Sequence, residues 1–159
     1  VTRVGIGYDS HRFTEGRPLI LGGHRIPFDK GLAGHSDADP IAHAVTDAIL
    51  GASGAGDIGQ LFPDTDERWK DADSMRLLAL AVERVFAKGY RIVQVDCTVI
   101  AEQPKISPHA LMIASALAER LGCAPSDVSV KGKTNEGMGF IGRGEGIAVI
   151  AVATLEARR

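Results

Sequence analysis

The chain of 159 residues carries 18 basic and 20 acidic side chains, a formal charge of −2 and an apolar fraction of 45%. That length suits a single domain with a real core, and the near-balanced charge leaves no basic stripe for nucleic acid. No apolar run approaches the roughly 18 residues of a membrane-spanning helix, and Val1-Thr2-Arg3-Val4 opens without the apolar core of a secretion signal, so no targeting segment is expected.

Residues 3–9 alternate and read as a strand running into Asp9-Ser10-His11. If the chain stays extended, Asp9 and His11 point to the same side. Leu19-Ile20-Leu21 and His24-Arg25-Ile26 flank Gly22-Gly23, a hairpin signature. A polar loop over 29–38 leads into a helix from Asp39 to about Gly51, with Asp39 as N-cap and Pro40 at the first helical position. Helical periodicity puts His43 one turn after Asp39 and one turn before Asp47. A carboxylate one turn away is then expected to orient its ring, as for a metal-ligating imidazole. Asp9, His11 and His43 offer two nitrogens and one oxygen with a fourth position open, the ligand set of a catalytic zinc. The competing reading is a capping or surface histidine beside a chance Asp-x-His pair, and spacing alone leaves both standing.

Residues 51–73 form a long glycine-rich loop of the kind that is functional or disordered in a compact domain. Within it, Gly56-Asp57-Ile58-Gly59 and Phe62-Pro63-Asp64-Thr65-Asp66 carry carboxylates suited to sugar hydroxyls, though Asp and Pro are equally ordinary in turns. Trp69 reads as a loop anchor. A helix follows from Asp73-Ser74 to Lys88-Gly89, then a strand over 91–101 that Pro104 stops. Ala101-Glu102-Gln103-Pro104-Lys105 lies at that strand's end, where clefts open. A third helix spans Ser107 to Gly122 and a strand covers 128–134. Lys131-Gly132-Lys133-Thr134-Asn135-Glu136 combines cations and a hydroxyl for phosphate with a carboxylate for magnesium, against the alternative of a solvated turn.

Gly137-Met138-Gly139-Phe140-Ile141-Gly142 matches GxGxxG, but a dinucleotide site needs a following helix and a later acidic residue. A final strand over 147–155 follows instead. Cys97 and Cys123 form no CxxC pair and are expected to be reduced. His24 and His109 read as surface or interface residues. The order of elements implies an α+β fold (an α/β sandwich) in one domain, 1–159. Its expected frame is a mixed four-stranded sheet with helices on one face, plus a small N-terminal hairpin.

Taken together, Asp9-Ser10-His11, His35-Ser36-Asp37-Ala38-Asp39, Gly56-Asp57-Ile58-Gly59, Phe62-Pro63-Asp64-Thr65-Asp66, Lys133-Thr134-Asn135-Glu136 and Gly142-Arg143-Gly144-Glu145-Gly146 stand in a distinctive order. The chain closely resembles the 2-C-methyl-D-erythritol 2,4-cyclodiphosphate synthase family from end to end. The resemblance implies conversion of 4-diphosphocytidyl-2-C-methyl-D-erythritol 2-phosphate to the cyclic diphosphate and CMP, in the non-mevalonate route to isoprenoid precursors. It implies a homotrimer with active sites at subunit boundaries, in the cytoplasm of a bacterium or a plastid. It carries Asp9, His11 and His43 over as zinc ligands and Glu136 as the holder of magnesium or manganese. His35 and Thr134 match positions that stabilise the transition state. Ser36 lines the methylerythritol phosphate site, Asp57, Ile58 and Gly59 meet a sugar portion, and Phe62, Pro63, Asp64, Thr65 and Asp66 form a cover. Ala101, Pro104, Lys105 and Ile106, with Gly132, Lys133, Thr134 and Asn135, frame the cytosine and its phosphates from the neighbouring subunit. Phe140 and Arg143 match positions near the threefold axis, where family members can carry an isoprenoid diphosphate.

Family members often have Gly at Ala38, Thr at Lys133 and an acidic residue in the stretch that is apolar here at Ala148, Val149 and Ile150. The substrate's 2-phosphate is already an anionic nucleophile, which agrees with a chain lacking a Ser-His-Asp or paired-acid arrangement. The rival readings are a metal-dependent phosphohydrolase, which releases a linear product, and a trimeric isoprenoid-diphosphate binder without turnover.

Overall fold

A computed structural model describes residues 1–159. Strand β1 (Thr2–Thr14) pairs antiparallel with β7 (Gly146–Ala157), β7 pairs antiparallel with β5 (Tyr90–Ile100), and β5 pairs parallel with β6 (Val128–Lys133). A two-residue strand β4 (Gly31–Leu32) adds to the outer edge of β1, so the sheet has five strands in the order β4-β1-β7-β5-β6. This corrects the expected four. Two residues inside a polar loop carry no alternation that marks a strand. The small hairpin is β2 (Leu19–Leu21) with β3 (His24–Ile26), turning at Gly22 and Gly23 with φ of 59° and 79°. Those positive angles suit a primed turn that matches strand twist.

Helix α1 (Pro40–Ser53) starts where the sequence indicates and runs two residues past Gly51, to a left-handed C-cap at Gly54. Helices α3 (Ser74–Ala87) and α4 (Ala110–Leu121) join α1 on one face of the sheet. Ile41, Val45 and Ile49 of α1, Leu78 and Val85 of α3, and Ile113 and Leu117 of α4 are buried against Cys97, Val99, Val149 and Leu155. Cys97 and Cys123 are free thiols, and burial pushes that of Cys97 up to about 12. The long loop holds one-turn helix α2 (Ile58–Leu61) and a 3-10 turn at Glu67–Trp69. The glycine-rich stretch holds one-turn helix α5 (Gly139–Gly142), and β7 follows it directly.

The close approach of α1 to β1 fixes the site. A Cβ at Gly5 would lie 2.1 Å from the Ala48 carbonyl oxygen, and one at Gly7 1.8 Å from that of Ala44. Glycines therefore face the helix, while Val4, Ile6 and Tyr8 stand exposed on the opposite face. Because β1, β5 and β6 run the same way, their C-terminal ends share one end of the sheet.

Candidate active site

Alternation along β1 turns Asp9 and His11 toward the helical layer, and the first turn of α1 brings His43 down onto them. His11 Nε2 and His43 Nδ1 lie 2.7 and 3.0 Å from the same Asp9 oxygen and 3.4 Å from each other. On its far side, His11 Nδ1 is 2.7 Å from the Ala33 carbonyl oxygen. A carbonyl only accepts, so Nδ1 carries the hydrogen and the lone pair on Nε2 faces the carboxylate. Two electron-rich atoms this close need a cation or an extra proton between them. The three residues have the donor chemistry of a divalent metal site.

The electrostatics agree. Burial would raise the Asp9 carboxyl, but the His11 and His43 imidazoles beside it favour its charged form and hold it below the usual carboxylate range. Burial would lower His11, but the bond to Asp9, its charge and the Ala33 carbonyl raise it.

Neither carboxylate expected to orient His43 does so. Asp39 is fully buried and accepts from the backbone N–H groups of Gly22, Gly23, Ile41 and Ala42 at 2.7–3.1 Å. Asp47 accepts from Ile58 N at 2.8 Å. Nearby backbone donors claim both acids. His43 Nε2 instead meets Ser74 Oγ at 2.7 Å and Ser36 Oγ at 3.1 Å.

The two histidines open into a cavity of about 380 Å³. His35 and Ser36 form one wall, and Ile58, Gly59, Phe62, Pro63 and Asp64 another. Trp69 and Leu77 complete it, with Trp69 edge-on to Phe62 at 5.0 Å between ring centres. The remaining loop acids turn to local work. Asp57 caps α2 through Gln60 N at 2.8 Å, and Asp66 pairs with Arg68 at 2.7 Å, while Thr65 is exposed. Arg17 holds the loop bearing His35, donating to Gly34 O at 2.9 Å and Ser36 O at 2.6 Å.

A second cleft of about 200 Å³ opens at the ends of β5 and β6. It gathers Ala101, Pro104, Lys105, Ile106, Gly132, Lys133 and Thr134. Neither lysine has an acidic partner among the ion pairs of the chain. A Cβ at Gly132 would fall 2.8 Å from that of Ile106, so this position needs glycine for lack of space. Glu102 ties down the next loop, accepting from Asn135 N at 2.9 Å and Gly137 N at 3.2 Å. Asn135 spends its side chain on Met138 O and lines neither cleft. Glu136 is exposed just beyond Thr134, in a left-handed conformation with φ of 53°. Phe140 lies elsewhere, in a cavity of about 560 Å³ with Arg12 and Lys30, and Arg143 in a neighbouring one beside Phe28.

Sequence reasoning did not name Arg17 and gave Asp37, Ser74, Leu77, Trp69 and Glu102 no part of their own in a site. Of these Asp37 carried a signal as part of the His35–Asp39 motif, and Glu102 as an acid at a strand end next to a cationic stretch.

Residues 2–156 match the YgbB family. A relative from Gemmatimonas aurantiaca, 2-C-methyl-D-erythritol 2,4-cyclodiphosphate synthase, is 60% identical over 96% of this chain and 92% of its own. The bifunctional IspDF of Campylobacter jejuni superposes with a TM-score of 0.95 at 43% identity, covering 99% of this chain and 42% of that longer one. The CDP complex of IspF from Plasmodium falciparum superposes with a TM-score of 0.87 at 38% identity, covering 99% of this chain and 97% of that one. The chain belongs to the YgbB family.

Proposed function

We propose that the chain converts 4-diphosphocytidyl-2-C-methyl-D-erythritol 2-phosphate to 2-C-methyl-D-erythritol 2,4-cyclodiphosphate and CMP. An oxygen of the 2-phosphate attacks the β-phosphorus. A new P–O bond closes the ring, the bond from the β-phosphorus to the bridging oxygen breaks, and CMP leaves with that oxygen. The attacking group is part of the substrate, so positioning supplies much of the acceleration, up to about 7–11 kcal/mol in well-oriented cases. One observation carries the reading: Asp9, His11 and His43 converge at the floor of a cavity walled by the two loops that bear His35 and Phe62.

Asp9, His11 and His43 would hold zinc, and Glu136 magnesium or manganese; when bound, these ions neutralise phosphate charge and polarise phosphoryl oxygens. His35 and Ser36 sit at the wall where the methylerythritol phosphate would lie. Ile58 and Gly59 meet the sugar portion, and the segment from Phe62 to Asp66 excludes water that would hydrolyse the diphosphate. Lys105, Lys133 and Thr134 offer two charges and a hydroxyl to the nucleotide phosphates, and the floor from Ala101 to Ile106 takes the cytosine.

The two clefts share no lining residue, and three strand spacings, roughly 14 Å, separate β1 from β6. In the reading proposed, a neighbouring subunit's nucleotide cleft faces the metal cavity, in a homotrimer joined through the face that exposes Val4, Ile6, Tyr8 and Val152. Phe140 and Arg143 then belong near the threefold axis.

Phosphorus NMR of the products decides the chemistry. The cyclic diphosphate and CMP are expected with the wild type. His43→Ala is expected to lose both zinc and turnover while keeping the fold. A linear monophosphate product, or undiminished CMP release by that variant, would refute the assignment.

A further inference from the structure

We propose that Ser74 and Asp37 are positioning residues that hold the His43 ring in the one tautomer able to ligate a metal, a proposal that rests on the metal site described above. Hydrogen-bond direction is set in turn by three side chains, Asp37, Ser74 and His43. Asp37 Oδ2 accepts from the backbone N–H of Ser74 at 3.1 Å, and Asp37 Oδ1 accepts from the Ser74 hydroxyl. A carboxylate only accepts, so the hydroxyl hydrogen points at Asp37. Ser74 Oγ then has only lone pairs to offer His43 Nε2, 2.7 Å away, and Nε2 must carry the ring hydrogen. His43 Nδ1 is left bare. Its lone pair is aimed at the point shared with Asp9 Oδ2, at 3.0 Å, and His11 Nε2, at 3.4 Å.

The relay is built to stay in one arrangement. Ser74 is fully buried, so bulk water does not compete for its hydroxyl. Asp37 is fixed by its own backbone, which donates to Ala72 O at 3.2 Å, while Asp71 N donates to His35 O at 3.0 Å. Those two bonds stitch the loop carrying His35 to the segment that starts α3. Ser36 Oγ, 3.1 Å from His43 Nε2, offers a second acceptor to the same hydrogen. His11 needs no such relay because the Ala33 carbonyl does the same job directly. Each histidine thus has its far nitrogen committed to an acceptor, the arrangement that raises ligand basicity and fixes ring orientation in metal sites.

The test uses the full chain, metal-free, with zinc alone as the probe. Zinc affinity is read by competition with a chromophoric chelator, and ring tautomers by long-range proton–nitrogen correlation spectra. In Asp37→Asn the amide oxygen keeps the shorter bond from the fixed N–H of Ser74, at 3.1 Å, and the NH2 group turns toward Ser74 Oγ, giving up the longer bond from Asp39 N, at 3.3 Å. The hydroxyl must then rotate and donate to His43 Nε2, which moves the ring hydrogen to Nδ1. The metal-free variant is expected to show that changed tautomer, and zinc affinity is expected to fall about 10- to 100-fold. Ser74→Ala removes the acceptor without imposing the wrong tautomer, leaving Ser36 in place, and is expected to lose less.

A folded Asp37→Asn chain that keeps its hydrogen on Nε2 and binds zinc as tightly as the wild type overturns the relay. Should that variant not fold, Ser74→Ala decides: unchanged zinc affinity overturns the relay, and a clear loss with native circular dichroism supports it. A wild-type chain that binds no zinc would defeat the metal reading instead, while the tautomer comparison would still decide the relay.

Discussion

His11 and Asp9 make the metal site sensitive to protons. The His11 pKa is raised, so the metal-free chain keeps a proton there at pH values where a free imidazole would begin to lose it. Its contribution to the metal-free fold is complete below the ordinary value of 6.5 and is lost as pH rises through the raised one. Asp9 works in the opposite sense: its contribution is present above 3.8 and is lost as pH falls through its lowered value. The metal-free pair is therefore strongest between these limits. A metal must displace the His11 proton, so zinc affinity is expected to drop about tenfold per pH unit below the raised pKa. Zinc titrations between about pH 5 and 8 check this, and a flat profile would contradict it.

Asp39 has a different task, with four backbone donors on one buried carboxylate that links the hairpin turn to the start of α1. Asp39→Ala strands those donors and is expected to cost about 3 kcal/mol or more in a urea titration, far beyond an ordinary cap. Its place as N-cap was legible from Asp39-Pro40, whereas alternation and helix spacing left the metal triad as one of two open readings until the family resemblance singled it out. The bond from His43 to Ser74 was not, because it spans 31 positions and depends on how the intervening loop folds back.

At the level of elements, the contact of α1 with β1 matters most. The backbone of the helix rests on the backbone of the strand at Gly5 and Gly7, and this brings His43 within reach of Asp9 and His11. Gly7→Ala forces a methyl group into a helix carbonyl that cannot move aside, and is expected to destabilise by about 3 kcal/mol or more. Thermal denaturation reads that loss, and zinc binding should weaken with it because α1 must shift away. A variant of unchanged stability would show that the helix is free to slide. Element existence was plain wherever a cap or a long alternation marked it, as for α3, β5 and β7. Ends were less so: β1 reaches Thr14 rather than residue 9 because β7 stays paired with it as far as Arg12 and β4 then pairs with Phe13 and Thr14. Ala38 sits buried at φ of 57°. This is the left-handed region that favours glycine.

For the whole molecule, the apolar alternation of β1 points the unexpected way. A strand pattern of this kind usually marks the residues that face the core. Here Val4, Ile6 and Tyr8 face outward and the intervening glycines face the helices, so an apolar sheet face is left uncovered. Which face was which depended on a helix that packs backbone to backbone, and no local pattern announces that. With the metal cavity and the cleft of Lys105 and Lys133 each drawn from separate parts of one chain, the proposed assembly builds every working centre from two halves. Two dead proteins can then rescue each other. Co-expressed at equal levels, His43→Ala and Lys105→Ala subunits are expected to form mixed rings in which about a quarter of the junctions pair two intact halves. Recovered turnover from such a mixture, absent from either parent alone, would be the signature of a centre shared across a boundary. Silence would mean that each polypeptide works by itself.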